Sequence, residues 1–179
     1  MEKVNTLKLS YPIDVDGTEV NELKLRNPKV IDLVIARKKS GDDDEIFSNV
    51  LAANLAEVSV DAIGELDMAT DIPSLIKLMG ELLTNESEVD KNKKNHREIK
   101  LDLAFPIQRH GKIIDHIIVK RPKYKDWKYA EGSGSDELSQ TIRLLHKVTG
   151  LEVEVLNELE ASDYARARDH INLFLGISQ

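Results

Sequence analysis

Residues 7–36, LKLSYPIDVDGTEVNELKLRNPKVIDLVIA, return as residues 101–130, LDLAFPIQRHGKIIDHIIVKRPKYKDWKYA. Leu7, Leu9, Pro12, Ile13, Gly17, Pro28, Lys29, Asp32 and Ala36 recur 94 positions on as Leu101, Leu103, Pro106, Ile107, Gly111, Pro122, Lys123, Asp126 and Ala130. Tyr11/Phe105, Val20/Ile114, Leu23/Ile117 and Leu25/Val119 keep their apolar character at the same offset. That period exceeds the roughly 20–50 residues of a solenoid repeat. It specifies a small domain present twice, head to tail. A copy of about 80 residues buries only a thin core, which leaves mutual support between the copies open.

Within a copy, Leu7, Leu9, Tyr11 and Ile13 alternate with polar residues, the period of a half-buried strand. Asp16-Gly17 supplies a tight hairpin turn, and a second strand follows over about residues 18–26. Its phase slips between Val20 and Leu23, which implies a bulge. In the second copy His110-Gly111 takes the turn, and Ile113 to Val119 is apolar enough to predict a strand buried on both faces.

The period then switches. Asn27 reads as an N-cap with Pro28 at the first helical position, ahead of a stripe of Val30, Ile31, Val34 and Ile35. Asp42, Asp43 and Asp44 open a second helix with Ile46, Phe47, Val50, Leu51 and Leu55 inward. Its counterpart runs from Ser135 through Leu138, Ile142, Leu145 and Val148 to Gly150, with the offset now reduced to 93 by a loop deletion. A short helix (60–66, matching 153–159) and a last amphipathic helix complete each copy. Asp71 reads as the N-cap of the last helix and Asp163 as its equivalent. The expected fold is α+β: two tandem copies of a β-hairpin followed by three to four helices, as pseudo-twofold partners or as independent modules. The first copy is expected over residues 1–84, a polar linker, NESEVDKNKKNHR, over 85–97, and the second copy over 98–179.

Composition removes several function classes. A net charge of -7 argues against general affinity for nucleic acid or anionic membrane. No apolar run approaches the roughly 18 residues of a membrane span, and MEKVNTLKLS lacks a signal-peptide core, so a cytoplasmic setting is expected. Cysteine is absent, which removes disulfides and thiolate chemistry.

The remaining chemistry-bearing residues have structural readings. His96, His110, His116, His146 and His170 lack zinc-ligand clustering and read as surface or hairpin histidines. Asp32/Asp126 and Asp71/Asp163 are retained in both copies, as acid–base carboxylates would be, but helix capping explains them more simply. GSGS (132–135) lacks the preceding strand and GKS/GKT of a phosphate loop. Trp127 aligns with Leu33 and is expected in the core. Residues 138–159 resemble a helix-turn-helix, yet the second helix, EVEVLNELEASD, would repel phosphates.

The order strand, Pro-Ile, Gly-turn, strand, then (R/K)-x-P-K-x-x-D resembles the small tail assembly chaperones of Mu-like contractile-tailed bacteriophages. Here it stands as SYPIDVDGTEVNELKLRNPKVID and AFPIQRHGKIIDHIIVKRPKYKD, covering about residues 6–84 and 98–177 with the downstream helices. The duplication departs from the usual single copy. The resemblance implies a non-enzymatic protein without cofactor or metal that holds the tape-measure protein soluble in the host cytoplasm until tail-tube subunits polymerise around it. Tape-measure protein, tail-tube protein and further copies of the chain are the partners it implies; nucleic acid and membrane are not among them. The residues that carry it are Pro12, Gly17, Pro28, Asp32 and Asp71, with Pro106, Gly111, Pro122, Asp126 and Asp163. A nucleic-acid-binding regulator built on the helix pairs is the alternative, and a structural virion component a third.

Overall fold

The computed structural model describes residues 5–84, 91–132 and 136–177. The chain divides into two compact units, Met1–Thr84 and Asn85–Gln179. The first runs β1 (Asn5–Val15), β2 (Thr18–Leu25), α1 (Val30–Ser40), α2 (Asp44–Ala56), α3 (Val60–Gly64) and α4 (Asp71–Leu83). The second repeats the order with β3 (Glu98–Arg109), β4 (Lys112–Lys120), α5 (Tyr124–Glu131), α6 (Glu137–Thr149), α7 (Val153–Leu156) and α8 (Ala161–Leu175). Each hairpin is an antiparallel two-stranded sheet, and the fold class is α+β, a hairpin followed by four helices in each copy. Of the polar segment 85–97, residues 85–90 lie outside those described, and Lys91–Asn95 form a 3-10 turn that packs against α8.

Both hairpins close through a two-residue loop in which each residue has positive φ: Asp16 at 52° and Gly17 at 82°, His110 at 49° and Gly111 at 72°. That is the turn geometry whose twist matches a right-handed hairpin. Gly17 donates its N–H to Asp14 Oδ1 at 2.9 Å. The expected bulge is present, but its extra residues lie in the first strand of each hairpin. Lys8 pairs with Glu22 and Ile13 with Val20, so residues 9–12 face Asn21 alone. In the second unit Asp102 pairs with His116 and Ile107 with Ile114, leaving residues 103–106 opposite Asp115.

The strand β4 is covered on one face, not both. Ile117 and Val119 are buried, while Ile113 is 69% and Ile118 41% exposed. A two-stranded sheet with helices packed on one side leaves alternate residues in water, whatever their hydropathy. The helix α1 also differs from its expected stripe. Val30, Leu33 and Ala36 face inward together with Asp32, and Ile31 and Ile35 stay more than a third exposed. Ile46 is likewise exposed, whereas Val50, Leu51 and Leu55 of α2 are buried. The counterpart α6 buries Ile142, Leu145 and Val148 and ends at Gly150 with φ 74°.

Capping follows a different pattern from the one expected at Asn27 and Pro28. The helix α1 begins at Val30 with Lys29 as N-cap, because Asp32 Oδ2 accepts the Lys29 N–H at 2.8 Å. Asn27 Oδ1 is taken by Asn5 Nδ2 at 3.1 Å, and Pro28 is fully buried ahead of the cap. Asp126 repeats the device on Lys123 N–H at 2.9 Å, past a half-buried Pro122. On α2 and α6 the caps are side chains: Asp43 Oδ1 accepts from Ile46 N, and Asp136 Oδ1 from Ser139 N, each at 2.9 Å.

Candidate interaction site

The acids retained in both copies are structural anchors rather than helix caps in two of four cases. Thr70 and Glu160 occupy the N-cap positions of α4 and α8. Asp71 and Asp163 lie in the first turns, 2% and 0% exposed, and reach back to the strand bulges. Ser10 N donates to Asp71 Oδ1 at 2.9 Å. Ala104 N donates to Asp163 Oδ1 and Phe105 N to Asp163 Oδ2, both at 3.1 Å. The bulge strips these half-buried amides of ladder partners, and the aspartates supply the acceptors in their place. Arg166 Nη1 compensates the Asp163 charge at 3.0 Å.

Asp32 is buried and forms a bidentate pair with Arg26, at 2.7 and 2.8 Å. Burial pushes its carboxyl up, but Arg26 and the Lys29 amide outweigh that and hold it below the usual range. Each of these carboxylates is engaged by amides or guanidinium, and the hydrogen bonds to them are those of an anchor. Pro12 and Pro106 sit exposed in the bulges beside Tyr11 and Phe105, themselves 68% and 41% exposed.

Among the described residues no group of three His or acidic residues could hold a metal ion. His116 contacts Asp115 at 2.6 Å, and His146 Nδ1 lies 2.7 Å from Leu151 O. His170 departs from the surface reading: it is buried on α8, and its Nδ1 has no hydrogen-bond partner among the described residues. Of GSGS, only Gly132 is among the described residues. The segment read as a recognition helix is α7, four residues long and flanked by Glu152 and Glu158, too short and too acidic to enter a groove.

Trp127 is not in the core. It is 37% exposed and forms one wall of a cavity of about 140 Å³ between α5, α6, α8 and the residues after α8. Ala130, Leu144, Ile171, Leu175 and Ile177 supply the apolar lining, with Glu131 and Glu137 among its polar groups. Tyr124 and Tyr129 of the same helix are also exposed, with Lys147 Nζ 4.0 Å from the Tyr129 ring. In the first unit the matching place holds Phe47, over which the Arg37 guanidinium stacks at 4.3 Å, and Arg37 pairs with Asp44 at 3.1 Å. Reading the copies separately hides this difference. Aligning α2 with α6 by their cap aspartates shows it, because Phe47 then stands opposite Gln140.

The architecture defines a tandem α+β protein, each unit a bulged hairpin clamped by the aspartate of its last helix. Residues 6–71 and 100–176 each match the family of phage tail assembly chaperone proteins E, or 41 or 14, and the chain belongs to that family, present as two tandem copies. No curated protein and no solved structure matches the chain. No helix among the described residues is long and apolar enough to cross a membrane.

Proposed function

We propose that this protein is a non-enzymatic chaperone that binds the tape-measure protein and keeps it soluble in the host cytoplasm until tail-tube subunits assemble around it. The family match in both units carries the reading. A long helical tape measure presents apolar stripes, and small helical modules cover such stripes groove to helix. Exposed Tyr11, Met68, Ile76, Phe105, Tyr124 and Trp127 give each unit apolar contact points. A net charge of -7 favours solubility of the complex.

Co-expression with a tape-measure protein from a phage that carries this chain tests the proposal. The expected result is co-purification of the two and a shift of the tape-measure protein from the insoluble to the soluble fraction. Absence of both effects would remove the chaperone assignment.

A further inference from the structure

The two units match the same family, so a place where their side chains differ shows what one presents and the other lacks. In the first unit Phe47 of α2 is half-buried beneath α1, with the Arg37 guanidinium over its ring at 4.3 Å and Asp44 holding Arg37 at 3.1 Å. The second unit aligns there through four landmarks: N-caps Lys29/Lys123 and Asp43/Asp136, and buried Ala36/Ala130 and Leu51/Leu144. On that alignment Phe47 becomes Gln140, Arg37 becomes Glu131 and Asp44 becomes Glu137. The anion is kept, the ring is gone, and the cation has become a second carboxylate.

Glu131, Glu137 and Gln140 line the cavity of about 140 Å³ that has Trp127 on one side, so two carboxylates are among its lining groups. That volume is close to the roughly 150 Å³ of an apolar cavity that accepts benzene. Glu131 pairs with Lys128, while Glu137 has no ion pair among the described residues. Both charges disfavour an acidic occupant and favour a basic one.

We propose that this cleft is the receptor for one large apolar side chain, aromatic or leucine-like, on a partner helix that also carries an arginine or lysine beside it. The partner thereby rebuilds the Phe47–Arg37–Asp44 arrangement of the first unit, with Glu137 taking the part of Asp44. This inference rests on the chaperone reading for who the partner is, and on the comparison of the two units for the chemistry recognised.

The chain contains one tryptophan, and it lines the cleft, so its emission reports occupancy directly. The probe is a tryptophan-free amphipathic helical peptide with a Phe/Leu face and an Arg flank, compared with the same peptide carrying Glu in place of Arg. The full chain is titrated with each. Binding of the Arg peptide should shift Trp127 emission to the blue and protect it from acrylamide, and the Glu peptide should do neither. The double variant Gln140→Phe with Glu131→Arg installs the first unit's own filling. It should melt at or above the wild-type temperature and bind the Arg peptide about tenfold or more weakly. The single variant Gln140→Phe serves should the double variant fail to fold.

Equal affinity of wild type and the filled variant, or an unmoved Trp127 at saturation, overturns the cleft assignment. So does concentration-dependent self-association that the filled variant abolishes, since a second copy would then be the occupant. Tape-measure protein held equally by wild type and filled variant refutes only the cleft. If the wild type does not hold it at all, the chaperone reading falls, and the peptide titrations still decide the cleft.

Discussion

The main-chain N–H of Phe105 donates to Asp163 Oδ2 across 3.1 Å and 58 residues of sequence. The neighbouring Ala104 N–H takes the other carboxylate oxygen, and the side chain of Asp163 is wholly buried. Removing this acceptor strands two half-buried amides and the Arg166 charge. Asp163→Ala is therefore expected to destabilise the second unit by about 2–4 kcal/mol. Asp163→Asn should cost nearly as much, because its NH₂ would face a donor. Urea unfolding of the intact chain measures the loss, and hydrogen exchange at Ala104 and Phe105 should rise sharply.

The Arg26–Asp32 pair gives the first unit an acid-sensitive element. Burial raises the Asp32 carboxyl, yet Arg26 and the Lys29 N–H bring it below its ordinary value. A carboxyl with a lowered native value contributes stability above the unfolded value, and loses it as pH falls through the native value. That window lies below about pH 4. Arg26→Ala should cost about 1–3 kcal/mol at neutral pH and move the acid unfolding of this unit to higher pH. Circular dichroism against pH for both proteins checks the direction.

His170 works in the opposite chemical sense at milder pH. Burial, and then the positive charges of Lys93 and Arg166, hold its imidazole below the usual 6.5, with Asp169 opposing. The unfolded chain therefore takes up this proton first as pH drops. The second unit should lose stability as pH falls below about 6.5, by at most roughly 1.4 kcal/mol per pH unit. His170→Leu should flatten that slope in thermal melts between pH 7 and 5.

The one-sided burial of β4 predicts a contrast between two isoleucines four residues apart. Ile113→Thr should change stability by no more than about 0.5 kcal/mol, since that side chain already faces water. Ile117→Thr should cost about 2–3 kcal/mol through lost packing and a buried hydroxyl. Equal costs in a denaturant titration would mean that both faces are covered.

The duplication, the hairpins and the order of helices were legible because turn residues and period changes are local properties of the chain. What escaped depends on partners distant in sequence. Asp32 broke the apparent stripe of α1: a charged residue counts as outward until Arg26 is known to neutralise it, so Ile31 and Ile35 looked inward when Leu33 and Ala36 are. Asp71 looked like a cap because its acceptor role toward Ser10 spans 61 positions. Val20 and Leu23 did show the slip in phase, but a slip on one strand cannot say which strand holds the extra residues. Trp127 inherited the position of Leu33 without its burial, at 37% exposed against 9%, and lines a cavity together with Gln140 and Glu131. The cleft is thus a difference between copies, and reading for similarity passes over differences.

The clamps also set an order of events during synthesis. A nascent chain that has emerged only as far as β2 leaves the Ser10 amide without its acceptor, which arrives with Asp71. The last helix of the first unit thus latches its first strand, and the acceptor for the second latch, Asp163, belongs to the second unit alone. Both ends of the first latch, Ser10 and Asp71, are thus synthesised before any residue of the trailing half.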